Sequence, residues 1–376
     1  MKRILTLIFW IGTLALQAQE NIDSLISTWN KLGKEFLEIH ELDSACKYGN
    51  CVIDIMAHNR LPGDMNMSDE RKINLEKKKA EALSTLVTAY GGSDKIDLSN
   101  QSYDSAFHIY SAIGDKNELF KLHIRMGRVH DLRSDYGEAI IYYEKARDQA
   151  ILNNDKKGLS LSYYFLGLDH RYLGNYSEAL KNHYEDLKIQ EELSNTVGIA
   201  NAYVTIAAIL NKLNDRDAAI EKLMDAKSLF ENMEDTSGVA MIYNDLGTTY
   251  YQMGDTLGAL ENHLQAAKLR MLVDEFNGLG ASYSYIARIY KDRGDFNQAH
   301  NYLHLVEKAF HNSSNLNGIM TTQIDMARLH FRKKEMDSTI VWLNIAHKTA
   351  TQMMNYRGLI LIYSIRGEVE LFQKIP

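Results

Sequence analysis

Compared with itself, the 376-residue chain shows one dominant period, forty residues long, that runs through most of its length. Glycine recurs at Gly158, Gly198, Gly238, Gly278, Gly318 and Gly358, and tyrosine at Tyr163, Tyr203, Tyr243, Tyr283 and Tyr363. A small residue recurs at Gly127, Gly167, Ala207, Gly247, Ala287, Ala327 and Gly367. Alanine recurs at Ala139, Ala179, Ala219, Ala259 and Ala299, with Thr339 in the next position. A fixed period of this length describes an array of supersecondary units. Each unit is too small to bury both of its faces, so neighbours must stack.

Within a unit the apolar spacing is helical. Tyr283, Ile286, Ala287 and Tyr290 follow the i, i+3, i+4, i+7 pattern of one buried face. Gly294-Asp295 breaks the run, and Phe296, Ala299, Leu303 and Val306 begin a second one. The unit is therefore two antiparallel helices joined by a tight turn, and the small residue lets their backbones approach closely. Two prolines in the whole chain and 45% apolar residues agree with an ordered helical array. The stretch NGLGASYSY (Asn277 to Tyr285) pairs two glycines as a phosphate-binding loop would. Such a loop needs a preceding strand and a third glycine where Tyr283 stands. Gly278 belongs to the glycine column, whereas Gly280 aligns with Ser160, Ala200, Ala240, Met320 and Ile360 and reads as incidental.

The segments YFLGLDHRYLGNYSEAL (Tyr164 to Leu180) and YNDLGTTYYQMGDTLGAL (Tyr243 to Leu260) resemble the tetratricopeptide repeat superfamily in their leucine-glycine, tyrosine, glycine and alanine pattern. The resemblance implies an all-α fold, a right-handed α-α superhelix of antiparallel helix hairpins. The forty-residue spacing exceeds the commonest variant, so either each helix gains a turn or the loop between units lengthens. Residues 19–77 read as an N-terminal helical hairpin cap and 78–376 as the array. A degenerate unit covers 78–117, and full units cover 118–157, 158–197, 198–237, 238–277, 278–317 and 318–357, with a half unit at 358–376. In the degenerate unit YDSAF (Tyr103 to Phe107) either starts the second helix late or lies within it. HNRLPGDMNMSD (His58 to Asp69) holds the one internal proline and reads as a loop or hinge.

MKRILTLIFWIGTLALQAQE opens the chain with Lys2-Arg3, an apolar core from Ile4 to Leu16, and Ala18 as a cleavage residue. This is the form of a secretory leader, residues 1–18, and it predicts export to a periplasmic or extracellular space. Its apolar core is short of the roughly 20 residues that span a bilayer, and no later segment is apolar enough to do so. A net charge of −7 argues against nucleic-acid binding, in which phosphate neutralisation dominates affinity. Export permits disulfides, but Cys46 and Cys51 lie five residues apart on one helix. Their Cα atoms are then roughly 8 Å apart and their side chains diverge. Both are expected to stay free.

Catalytic and metal motifs are missing. His300 and His304 stand one turn apart, yet no third ligand and no HExxH accompany them. His183 and His263 fill an aromatic slot of the second helix, and His130, His170 and His330 a slot that elsewhere holds Tyr250 and Tyr290. There is no GxSxG, and neither cysteine has a histidine in a local signature. The expectation is a non-enzymatic chain without metal or cofactor.

What remains is a flank of the first helices, one, four and five residues after the small residue and three before it. Periodicity leaves open which flank lines the inside of the superhelix. The family resemblance implies this one, and its slots hold Arg128, Tyr164, Arg171, Tyr172, Asn211, Asn244, Tyr251, Gln252, Arg288, Lys291, Arg328 and Arg332, with Arg125 nearby. Guanidinium groups fork carboxylates, tyrosines give rigid area, and amides pair backbone. These residue types predict a groove for a peptide or protein partner, acidic or ending in a free carboxylate. The last unit stops after GLILIYSIRGEVELFQKIP, whose outer face is too apolar for a lid; either a second helix absent here covers it or another chain does, such as a second copy pairing through this end. Exported arrays of this kind are similar to the sensor regions of histidine kinases and helix-turn-helix regulators. The runner-up expectation is accordingly a detached or truncated sensory input region. The third is an enzyme whose site leaves no motif.

Overall fold

The computed structural model describes residues 22–58 and 69–374. The expected leader, residues 1–18, and residues 59–68 of the expected hinge lie outside the described residues. Seventeen α-helices and no strand occur among those described. The described residues fall into two compact units, which divide between Leu193 and Ser194.

The first unit pairs α1 (Ile22–Glu38) with α2 (Leu42–His58), and α3 (Asp69–Gly92) with α4 (Ile96–Ile113). It continues with α5 (Lys116–Leu132) on α6 (Tyr136–Leu152), and α7 (Lys156–Tyr172) on α8 (Tyr176–Glu192). YDSAF lies within α4, which begins at Ile96. In the second unit α9 (Thr196–Lys212) pairs with α10 (Arg216–Asn232), and α11 (Thr236–Met253) with α12 (Thr256–Leu272). Then α13 (Phe276–Asp292) packs on α14 (Phe296–Asn312), α15 (Leu316–Arg332) on α16 (Met336–Gln352), and α17 (Tyr356–Lys374) closes against α16. Consecutive paired helices of this kind are the tetratricopeptide-type solenoid arrangement. Cys46 is buried, Cys51 half-buried, and both are free.

The forty-residue period has a simple origin. Except for α11, every helix from α5 to α16 is 17 residues long, and three-residue turns separate most of them. The extra length is therefore in the helices, not in the loops. Each turn places one residue in the left-handed region, and twenty residues separate Ser134, Asn154, Gly174, Ser194, Asn214, Glu234, Gly254 and their successors. That conformation closes a helix by turning its last carbonyls toward the N–H groups just beyond it. The next residue but one starts the following helix, and an Asp or Asn caps many of these starts. Asp155, Asp235, Asp255, Asn315 and Asn355 each accept a hydrogen bond from the glycine N–H three residues on, at 2.9–3.0 Å.

The glycine column has a steric cause as well. A Cβ on Gly238 would meet Phe230 at 2.4 Å, and one on Gly318 would meet Phe310 at 2.5 Å. The ring at the end of one hairpin thus seats on the opening turn of the next. Gly280, expected to be incidental, is also required: its Cβ would lie 2.6 Å from the same Phe310 ring.

Inside each hairpin the small residue and the side chain sixteen positions later are matched in size. Gly127 faces Tyr143, Gly167 faces His183 and Gly247 faces His263, with an added Cβ only 2.5–2.8 Å from the ring. Where the small residue is Ala207, Ala287 or Ala327, the partner position holds Leu223, Leu303 or Leu343 instead, all buried. Gly367 of α17 has nothing within 4 Å of the position a Cβ would take.

The imidazoles in these cores are neutral. His183 and His263 are fully buried and His123 is 5% exposed. Burial holds all three down to about 4, with nearby cations (Lys145 for His123, Arg171 for His183, Arg288 and Arg270 for His263) adding to the effect. His123 shares a 2.8 Å hydrogen bond with the Tyr103 hydroxyl, whereas neither ring nitrogen of His183 has a partner. Asp169, 1% exposed, is raised to about 8 by burial first and by the neighbouring Asp131 second.

Two outcomes follow. Gly167→Ala should cost about 1–3 kcal/mol by forcing a methyl into the His183 ring. His183→Leu introduced with it should recover most of that loss, as urea denaturation of the two single variants and the double will show. Gly367→Ala, with open space before it, should gain up to about 1 kcal/mol of helix propensity. Acidification gives the second outcome. Because the unfolded chain takes up protons near 6.5 while the folded imidazoles resist to about 4, stability should fall as pH drops through that window. The difference in urea midpoint between pH 7 and pH 4.5 should narrow in His183→Leu. An unchanged difference would show that this imidazole is protonated in the fold.

Candidate functional site

In the second unit the chosen flank is a continuous polar face on α11, α13 and α15. The Arg288 guanidinium lies 4.8 Å from the centre of the Tyr251 ring and 5.1 Å from that of Tyr285, held between two π faces. Tyr251 donates its hydroxyl hydrogen to Asp292 at 2.5 Å, and Arg332 reaches the same carboxylate at 4.0 Å. Arg328 stands 3.8 Å from Asp325. Burial raises the Asp325 carboxyl, and Lys291 and Arg328 pull it back. Arg288, Lys291, Arg328 and Arg332 thus outnumber Asp292 and Asp325 by two. These pairs are largely solvated, so each is worth less than about 1 kcal/mol and yields readily to a better partner. Gln252 is exposed beside them.

Two cavities open on this unit. One, of about 210 Å³, is lined by Ser284, Tyr285, Ala287, Arg288, Lys291, Ala299, Leu303 and Asp325. The other, of about 180 Å³, is lined by Val204, Ala207, Ala208, Asn211, Lys212, Leu223, Asp245, Thr248 and Gln252. Six positions of the second recur in the first exactly two repeats later, from Val204 and Ser284 to Asp245 and Asp325. Between them the equivalent space is filled, because Tyr285 stacks on His263 with ring centres 4.7 Å apart. A well opens where the residue two before the small one is the short Asp rather than Tyr.

Not every expected residue faces outward. Asn244 is 7% exposed and its carbonyl oxygen accepts hydrogen bonds from His263 (3.0 Å) and Ser282 (3.2 Å). It joins α11 to α12 and α13 and has no part in the face. Asn211 donates its amide to Thr249 at 2.9 Å, and its carbonyl oxygen is buried without a partner at the edge of the smaller well.

The first unit, by itself, holds the remaining expected residues on its first helices. Arg128 is exposed and Arg125 half-buried on α5. Tyr172 stacks on Tyr136 at 4.7 Å and carries the Arg171 guanidinium at 5.1 Å, and Tyr164 sets its ring edge-on to His183. Tyr136, Tyr172 and Arg171 make one stacked group, and Tyr164 with His183 another.

His300 and His304 gain the third imidazole that their spacing lacked. His330, from α15, stands 5.4 Å from His300 between ring centres. Its Nδ1 is engaged by Glu335 at 2.6 Å. No group of three His, Cys, Asp or Glu is placed to hold a metal among the described residues. No described helix is long and apolar enough to cross a membrane. On α17, Ile362, Ile365 and Val369 are buried, while Ile360 and Leu371 are about two-thirds exposed.

The residues that periodicity missed are Asp245, Asp325, Tyr285 and Asp292. The first three sit two places before the small residue, a slot between the buried face and the chosen flank. Their signal was present: two aspartates eighty residues apart in one column.

Residues 239–270 match the model of the tetratricopeptide repeat family. No curated protein matches the sequence. Among solved structures, aspartyl phosphate phosphatase F from Bacillus subtilis aligns over 94% of this chain and 95% of its own, at 11% identity and a TM-score of 0.57. A signal transduction ATPase with numerous domains and a tetratricopeptide repeat sensor, from Pyrococcus horikoshii, aligns over 92% of this chain and 56% of its own, at 13% identity and a TM-score of 0.54. The apo form of RapI aligns over 77% of this chain and 98% of its own, at 13% identity and a TM-score of 0.51. At these identities the likeness is one of fold, and it agrees with the hairpins, the period and the repeat match. The chain thus has the tetratricopeptide-type helical repeat fold, and residues 239–270 carry that family's sequence pattern.

Proposed function

We propose that the chain is a non-enzymatic interaction protein that holds a peptide or protein segment on the α11, α13 and α15 face, with a preference for acidic residues or a free carboxylate. The observation that carries this reading is the Tyr251–Arg288–Tyr285 stack, extended by Lys291, Arg328 and Arg332. A guanidinium fixed between two rings has already lost its rotamer freedom, so it binds at a reduced entropic cost. Weak solvated ion pairs around it are exchanged for charge-assisted hydrogen bonds to the ligand. The fold supports the same reading, since stacked hairpins present long faces built from successive first helices.

A synthetic array of 15-residue peptides, with Glu-to-Gln and carboxylate-to-amide pairs, tests it on the full chain. Acidic members should bind best, and the triple variant Arg288→Ala, Lys291→Ala, Arg328→Ala should weaken them at least tenfold, about 1.4 kcal/mol or more. Binding unaffected by the triple substitution would remove this face from the mechanism. We propose also that the protein works outside the cytoplasm, on the strength of Lys2-Arg3 and the Ile4–Leu16 core. Sequencing of the purified mature protein should then begin near Gln19, and an intact Met1 would refute it.

A further inference from the structure

The smaller well, between α9 and α11, has a chemistry opposite to that of the cationic face. Its wall is apolar at Val204, Ala207, Ala208 and Leu223, and Asp245 presents a carboxylate to it. No described side chain donates a hydrogen bond to that carboxylate. The nearest buried cation, Arg270, uses its Nη1 on the Gly278 carbonyl and the Ser282 hydroxyl. Asn211 turns its amide donors toward Thr249, leaving an unpaired carbonyl oxygen at the same edge. Thr248 gives its hydroxyl hydrogen to the Asn244 carbonyl and Thr249 gives its own to the Asp245 carbonyl. The well therefore presents acceptors, while Lys212 and the Gln252 amide supply donors only on its exposed rim. At about 180 Å³ it is smaller than the roughly 300–1,000 Å³ of a metabolite pocket and suits one long side chain.

We infer that this well is a specificity subsite that takes a guanidinium or ammonium side chain of the bound segment, paired with Asp245. The inference rests on the peptide-binding reading and deepens it: the ligand carries a basic residue for the α9–α11 well as well as acidic groups for the α13–α15 face. The aliphatic stem of such a side chain matches the apolar wall, and its head replaces water on a desolvated carboxylate, where a charged hydrogen bond is worth most. Burial pushes the Asp245 carboxyl up to about 6, and Arg270 pulls it back.

The test uses the full chain and a single-residue probe, N-acetyl-arginine amide, against its neutral isostere N-acetyl-citrulline amide. Side-chain amide resonances of Asn211 and Gln252 report the site. The arginine probe should shift both and saturate, and citrulline should bind at least tenfold more weakly. Asp245→Asn, which removes a buried charge and should fold at least as well, should lose the arginine response by the same factor. Wild-type affinity should also fall about tenfold between pH 7 and pH 5, as the carboxyl takes up its proton. Lys212 and Arg270 are the cations that face it from α9 and α12. Equal binding of citrulline, an undiminished Asp245→Asn response, or no arginine binding at all would overturn the subsite. If the subsite fails while peptide binding still depends on Arg288, Lys291 and Arg328, the reading of the face stands. If the triple variant binds peptides as the wild type does, that reading falls and the arginine result is unaffected.

Discussion

Everything in this fold depends on how closely two antiparallel helices can approach at one point per hairpin. A glycine or alanine in the first helix accepts a large side chain from the second, and the two are matched in volume. Glycine goes with the Tyr143, His183 and His263 rings, alanine with Leu223, Leu303 and Leu343. Core packing is dense enough that a single misplaced methyl is felt. The matching therefore does within the hairpin what a disulfide or a metal does in smaller domains. Stacking is secured by a second such contact, in which rings such as Phe230 and Phe310 cover the capped first turn of the next helix.

The candidate site is a by-product of this packing. First helices turn one flank to their hairpin partner and another to the neighbouring first helix, and the flank left over carries the tyrosines and cations. Whether a crevice between two first helices is open or plugged depends on one side chain, short in Asp245 and Asp325 and aromatic in Tyr285. The two open crevices thus stand two repeats apart, and the plug between them supplies one of the two rings that hold Arg288. The openings and a ring that clasps Arg288 arise from the same column of the repeat.

The fold was legible because its determinants are periodic. Glycine, tyrosine, small-residue and alanine columns report contacts that recur in every unit, and a contact repeated many times leaves a visible trace. The origin of the length was less so: helix and loop trade off without changing the period, and only the left-handed residues at Ser134, Asn154 and their equivalents reveal three-residue turns. Gly280 was misread because its reason, Phe310, is thirty residues away and confined to one unit. Asn244 was misread for a similar reason, since the His263 and Ser282 bonds that turn it inward are not visible in its own column. Arg288 and Lys291 were found because their slots belong to the flank that the family resemblance picks out, whereas Asp245 sits in a slot between that flank and the buried face.

The twenty-residue beat of helix and turn constrains how such a chain can change in length. One residue added within a helix would swing every later side chain in it by about 100°. Tyr143, His183 or Leu303 would then point away from the small residue it must meet. A turn already reduced to three residues has no slack to absorb the error. Viable insertions and losses are thus confined to whole hairpins, and lineages of this chain should differ in steps of forty residues, with the columns of the candidate face copied or dropped as sets.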